Sequence, residues 1–110
     1  MHYIELVDGT RSTAWSVSEW FLGEYLHDKS VSLTIEEKDL SEEGGVMGWF
    51  LVDGDNSFTI QLDMNLQYEF IPTLLHELYH LQQTLEGRDR NEYETYHMEV
   101  ELLDKYMNKE

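Results

Sequence analysis

The sequence has no cysteine, a single proline and few basic residues. Seven Lys and Arg stand against 23 Asp and Glu among 110 residues, so the formal net charge is −16. The absence of cysteine excludes disulfides, thiolate catalysis and every zinc site that uses Cys ligands. Because the excess negative charge repels phosphate backbones and anionic lipids, we expect no nucleic-acid partner and no membrane-surface partner.

Long hydrophobic runs are also missing. No apolar stretch approaches the roughly 20 residues needed to cross a bilayer. Residues 1–5 lack the basic start and apolar run of a signal peptide, which predicts a cytoplasmic protein. Hydrophobic residues still make up 41% of the chain and aromatic residues 13%, enough to bury a core. This length predicts one domain over residues 1–110, because a second independent core would not fit.

Hydrophobic periodicity predicts the order of the secondary structure. Alternating patterns predict strands at 2–7, 31–36, 46–52 and 57–63, with a hairpin turn between the last two. A period of 3.6 predicts helices at about 12–27, 67–85 and 91–107. The order β-α-β-β-β-α-α indicates an α+β fold. We expect a short antiparallel or mixed sheet, packed on the N-terminal helix and the two C-terminal helices.

His76, Glu77 and His80 form an HExxH motif on the second predicted helix. Residues four apart lie on one helix face, so both imidazoles reach one metal ion. Glu77 then lies beside the open coordination position, where its carboxylate takes a proton from water and returns it to a leaving group. Polar groups within an apolar helix need such a role, because each unpaired buried one costs about 1–3 kcal/mol. We therefore predict that His76 and His80 bind a metal and that Glu77 is the catalytic base.

A catalytic zinc site needs a third protein ligand. The metzincin pattern is excluded, because Gln83 and Glu86 occupy the positions of its glycine and its third histidine. The last helix instead offers four glutamates, Glu92, Glu94, Glu99 and Glu101. An antiparallel return of that helix brings its start to the level of His80, which favours Glu92 or Glu94. Helical phase alone does not choose between these two.

The run from His76 to Gln83, followed by the run from Asn91 to Tyr96, resembles gluzincin-type zinc metallopeptidases. More closely, it is similar to the very small HExxH domains of bacterial and phage genomes, over about residues 57–103. The resemblance implies a zincin-like domain with one zinc ion per chain, held by His76, His80 and Glu94, and with Glu77 as general base. It also implies that the strand at 58–63 lies along the cleft and pairs with an extended peptide.

The leading functional prediction is a zinc-dependent peptidase that cleaves a peptide or protein substrate; the oligomeric state stays open. One alternative is a catalytically silent zinc-binding module of the same fold, and another is an acidic protein that mimics nucleic acid. The presence of Glu77 favours the enzyme, because a structural zinc site needs no carboxylate there. Candidates for stabilising the oxyanion are Tyr93, Tyr96 and His97.

Overall fold

Three helices and a four-stranded sheet make up the structure, a computed structural model that describes residues 1–109. In chain order the elements are β1 (His2–Leu6), α1 (Thr13–Tyr25), β2 (Val31–Lys38), β3 (Gly48–Val52), β4 (Ser57–Asp63), α2 (Phe70–Leu85) and α3 (Glu92–Met107). This order confirms the predicted α+β arrangement. Across residues 1–109, none of the helices is both long and apolar enough to cross a membrane.

The strands form one mixed sheet in the order β1-β2-β4-β3. The β1–β2 and β2–β4 pairs are parallel, and only the β3–β4 pair of these described strands is antiparallel. The mixed sheet is thus confirmed, with its antiparallel part confined to the hairpin. Parallel pairing of β1 and β2 follows from the helix between them, since a parallel neighbour requires a crossover connection.

The helices cover one face of the sheet and bury its hydrophobic side chains. On β2 and β4 every second residue is buried, namely Val31, Leu33, Ile35, Phe58, Ile60 and Leu62. Helix α2 lies against α1, α3, β3 and β4, so it is packed from several sides. Its leucines Leu74, Leu75, Leu78 and Leu81 are fully buried. The HExxH motif therefore lies on the helix that is most firmly anchored in the core.

Strand β4 lies between β2 and β3, and both of its edges are paired. The expectation that the strand at 58–63 pairs with a substrate is therefore wrong. The hairpin pairs β3 with one edge of β4, and β2 pairs with the other, so neither edge of β4 is left for a peptide. Strand β3 is the edge strand of the sheet on the cleft side, and no strand within residues 1–109 pairs with its outer edge.

The register of the hairpin decides which backbone groups of β3 face this free edge. Asp63 N donates to Met47 O at 2.9 Å, and Asp53 N donates to Ser57 O at 2.8 Å. In an antiparallel pair, residues alternate between bonding to the partner strand and pointing away from it. The backbone N–H and C=O groups of the even-numbered residues Gly48, Phe50 and Val52 consequently point outward.

Replacing Ile60 by alanine should lower the free energy of unfolding by about 2–5 kcal/mol, because it leaves a cavity in a packed core. Ile60 is fully buried on the central strand β4. The matched control is Leu51→Ala on β3, where the side chain is 41% exposed and the loss should stay below about 1 kcal/mol. Urea unfolding measures both. Equal losses would contradict the described core.

Candidate metal centre

The connection between α2 and α3 places the start of α3 beside the end of α2. Gly87 adopts a φ of +71° just after α2, and its N–H donates to Thr84 O at 3.0 Å. This left-handed conformation suits glycine and stops the helix. Asn91 then caps α3, its side chain accepting a hydrogen bond from Glu94 N at 3.0 Å. These two local signals reverse the chain and bring α3 back antiparallel to α2.

Two imidazole nitrogens converge on the carboxylate of Glu92. His76 Nε2 lies 3.1 Å from Glu92 Oε1, and His80 Nε2 lies 3.2 Å from Glu92 Oε2. One ligand atom from each of the three residues lies within 4.8 Å of the others. Ligands at 2.0–2.1 Å from a tetrahedral zinc are about 3.3 Å apart. The spacing and the donor types, two nitrogens and one carboxylate, therefore fit zinc.

The other ring nitrogen of each histidine is held by an acceptor. His76 Nδ1 lies 2.9 Å from Glu99 Oε1, and His80 Nδ1 lies 3.0 Å from Gln83 Oε1. Both partners accept hydrogen bonds, so a metal held at Nε2 would leave Nδ1 protonated and donating to them, the tautomer that a histidine ligand requires. Burial also lowers the pKa of His80, which favours the neutral form that a ligand requires.

The sequence pattern does not predict the contacts of Gln83 and Glu99 with the two histidines. In the sequence Gln83 stands out only as a departure from the metzincin pattern, and Glu99 only as an alternative ligand. Their helical spacing could nevertheless have predicted these contacts. Gln83 is one turn beyond His80 and Glu99 is two turns beyond Glu92, so each lies on the same helix face as its neighbour. Glu92 and Glu99, the two acidic residues that contact His76, thus lie on one stripe of α3.

Glu94 does not join the histidines. Its carboxylate accepts hydrogen bonds from the Tyr79 hydroxyl and from the Arg88 guanidinium, the latter at 2.8 Å. These two partners lower the pKa of Glu94. Residues two apart on a helix point about 200° away from each other, so Glu92 and Glu94 cannot serve the same site. Where the resemblance implies Glu94, the structure brings the carboxylate of Glu92 to the two histidines.

Glu77 is buried beside the cluster, with 7% of its surface exposed. Burial raises its pKa to about 7, against the lowering effect of the charges on His76 and Arg90. A Cβ on Gly48 would lie 3.2 Å from Glu77 Oε2 and 3.1 Å from Thr73 Cγ2. The glycine thus lets strand β3 approach the carboxylate closely. A carboxyl group that titrates near neutral pH can both accept and return a proton there.

The cluster opens into a cleft of about 360 Å³ between β3 and the two C-terminal helices. Its walls are residues 45–50, Thr73, the three motif residues, Arg90, Glu92, Tyr96 and Glu99. Of the oxyanion candidates, Tyr96 lines this cleft, and its ring centre lies 4.8 Å from that of His76. Tyr93 and His97 instead line a separate surface depression that Tyr96 borders. Tyr96 is therefore the candidate closest to the cluster.

Comparison with known proteins assigns no family to this arrangement. No family model, curated protein or solved structure matches the chain. The chemistry of the cleft is therefore interpreted from its own residues and their geometry.

In the metal-free protein, Glu77→Gln should raise the free energy of unfolding at pH 8 by about 3 kcal/mol. The pKa of Glu77 is about 7 in the folded chain against an ordinary value of 4.5, so the folded state holds more protons between these values. The stability of the parent accordingly falls as the pH rises from about 4.5 to 7. Glutamine does not titrate. Urea unfolding with a chelator at pH 4 and pH 8 measures the difference.

The advantage of Glu77→Gln should disappear at pH 4, where Glu77 is protonated in both folded and unfolded chains. Glu101→Gln on the exposed side of α3 is the control for removing one carboxylate, and it should change the free energy of unfolding by less than about 0.5 kcal/mol. An advantage of equal size at both pH values would contradict the burial of Glu77 as its cause.

Proposed function

We propose that this chain is a zinc-dependent peptidase. In this proposal His76, His80 and Glu92 bind one zinc ion and Glu77 is the general base. The observation that carries it is the convergence of both Nε2 atoms on the Glu92 carboxylate, with Glu77 buried alongside in an open cleft. The resemblance of the motif to gluzincin-type peptidases supports the same reaction.

The donor set fits a catalytic zinc site, which uses three protein ligands and leaves one position open. When bound, zinc supplies Lewis acidity, polarising a carbonyl and lowering the pKa of water to about 7. Glu99 and Gln83 hold the two imidazoles in the orientation that presents Nε2. This support matters because residues that orient histidine ligands contribute about 10–100-fold in metal affinity or activity.

In the proposed reaction Glu77 moves the proton. Its carboxylate accepts a proton from the attacking water and donates it to the nitrogen of the departing amine, so the residue ends in its starting state. Without a metal the pKa of Glu77 is about 7, which is close to the range that suits a general base at neutral pH. The Tyr96 hydroxyl is the candidate hydrogen-bond donor to the negative charge that develops on the carbonyl oxygen, because its ring lies against His76.

The free edge of β3 supports a peptide as the substrate. Gly48 and Phe50 line the cleft, and their backbone N–H and C=O groups point away from β4. An extended peptide can add to such an edge as a further strand, held by main-chain hydrogen bonds. Because Gly48 lies beside Glu77, a peptide on this edge passes next to the proposed base.

Zinc binding should depend on Glu92 and not on Glu94. The parent protein should bind about one zinc ion per chain, and Glu92→Gln should lose at least about tenfold in zinc affinity. Glu94→Gln is the matched control, because it removes the same charge from the same end of α3 and should bind zinc like the parent. Competition with a chromophoric chelator, together with elemental analysis, measures both.

If Glu94→Gln lost zinc affinity and Glu92→Gln kept it, the proposal that Glu92 is the third ligand would be overturned. A parent that binds no zinc, even after zinc is added, would contradict the proposed function as a whole.

Glu77→Gln should keep zinc and lose hydrolysis. We expect turnover of a quenched fluorescent peptide library to fall by about 10²–10⁴, the contribution of a positioned general base. Zinc affinity should stay near that of the parent, because Glu77 is not one of the three ligands in the cluster. A zinc-loaded parent that cleaves no peptide would instead indicate the silent zinc-binding module.

A further inference from the structure

Arg90 lies in the connection between α2 and α3 and lines the same cleft as His80 and Glu92. Its guanidinium carbon lies 5.3 Å from the centre of the Phe50 ring. Phe50 is 5% exposed and also contacts Phe58, so its ring has a fixed place in the core. A cation over an aromatic face is attracted to it, which restricts where the guanidinium can lie.

The guanidinium of Arg90 lies over the Phe50 ring and its charge acts on Glu77, but it is not held in an ion pair as the other two arginines are. The other two arginines are both paired, Arg11 with Glu37 at 2.8 Å and Arg88 with Glu94 at 2.8 Å. Within residues 1–109, no hydrogen bond or salt bridge involves the Arg90 side chain, and no other Lys or Arg lines the cleft. A chain with 23 acidic residues thus leaves one cation unpaired at the mouth of its cleft.

A free guanidinium is suited to a carboxylate. Its N–H groups form a planar fork that binds both carboxylate oxygens at once. The charges of Glu92 and Glu99 near the histidines would be balanced by the proposed zinc ion, so they do not cancel Arg90. More distant acidic side chains are screened beyond about 8 Å at physiological ionic strength. An acidic group that enters the cleft therefore meets a local positive charge despite the net charge of the chain.

The geometry also indicates which part of a peptide would meet Arg90. Strand β3 crosses the cleft in the same direction as α2, because Gly48 lies beside Glu77 and the Phe50 ring lies 6.5 Å from that of His80. Antiparallel pairing is the slightly more stable arrangement for an added strand. A peptide in that direction places the residues that precede the scissile bond near Phe50 and Arg90.

We propose that Arg90 binds a carboxylate of the substrate and so gives this cleft a preference for peptides with an acidic side chain before the scissile bond. The inference rests on the proposed peptidase function, and it names the substrate class for that cleft. A parallel peptide would instead offer its C-terminal carboxylate to the same guanidinium.

Calorimetric binding to the zinc-loaded Glu77→Gln protein tests this without turnover. The first set of probes consists of acetylated alanine pentapeptide amides in which a single Glu, or a single Gln, replaces the alanine at each position in turn. The second set is the all-alanine pentapeptide with a free or an amidated C-terminus. With Arg90 present, the best Glu peptide should bind about tenfold more tightly than its Gln partner, the size expected of a charge-assisted forked pair.

Arg90→Gln should abolish this preference, and the affinity for the Gln peptides should stay within about twofold of its value with Arg90 present. Arg90→Lys should recover part of it, because it keeps the charge but loses the fork. Lys105→Gln is the matched control for removing one cation, since it lies about 20 Å along α3 from Glu92 at 1.5 Å per residue. This control should keep the full preference.

The outcomes separate the proposals. A preference for the free C-terminus that Arg90→Gln removes would support carboxylate binding and assign the parallel direction. Equal weakening of the Glu and Gln peptides, or a preference that survives Arg90→Gln, would overturn the role of Arg90 and leave the peptidase proposal intact. If no peptide bound to the zinc-loaded Glu77→Gln protein that retains Arg90, the proposal that the substrate is a peptide would be contradicted.

Discussion

The antiparallel contact between α2 and α3 is the constraint on which the candidate site depends. His76, His80 and Glu92 come from two helices, and their ligand atoms meet only because α3 returns at one particular rotation about its axis. That rotation is held by packing, since Leu102 and Tyr106 of α3 are buried in the same core as the leucines of α2. The chemistry of the cleft is therefore supported by the hydrophobic core behind it.

Burial has two opposite effects at this site. It lowers the pKa of His80 and raises that of Glu77, so both groups are held closer to neutrality than they would be in water. Such a cluster destabilises the fold of the metal-free chain, because a charged Glu77 is poorly solvated. A bound cation would compensate for this cost. Local rules of burial are broken here in the way expected of a functional site.

Strand β3 of the hairpin forms one wall of the cleft, opposite α2 and α3, and it sets the direction in which a peptide could pair. Because β3 covers β4, the edge available to a peptide is the one that carries Gly48 and Phe50, next to α2. Arg90 stands at one end of that edge, over the Phe50 ring. Under the proposed function, substrate preference would depend on the few charges near the cleft, because salt screens the more distant acidic groups.

The order of the elements and the HExxH face were determined by the sequence alone. Both follow from local periodicity, which backbone hydrogen bonding imposes within each strand or helix. The Gly87 stop and the Asn91 cap are local in the same way. This is why the predicted helices and strands agree with the structure, and why His76, Glu77 and His80 could be placed together before any fold was known.

Tertiary structure decided the rest of the site. The proximity of Glu92, rather than Glu94, to the histidines depends on how α3 is rotated against α2, and the contact of Glu99 with His76 depends on the same rotation. The free edge of β3 depends on which strands become neighbours, and the position of Arg90 depends on the buried Phe50 ring. These relations join residues that are far apart in the chain. They are set by side-chain packing between elements, and no local period encodes that.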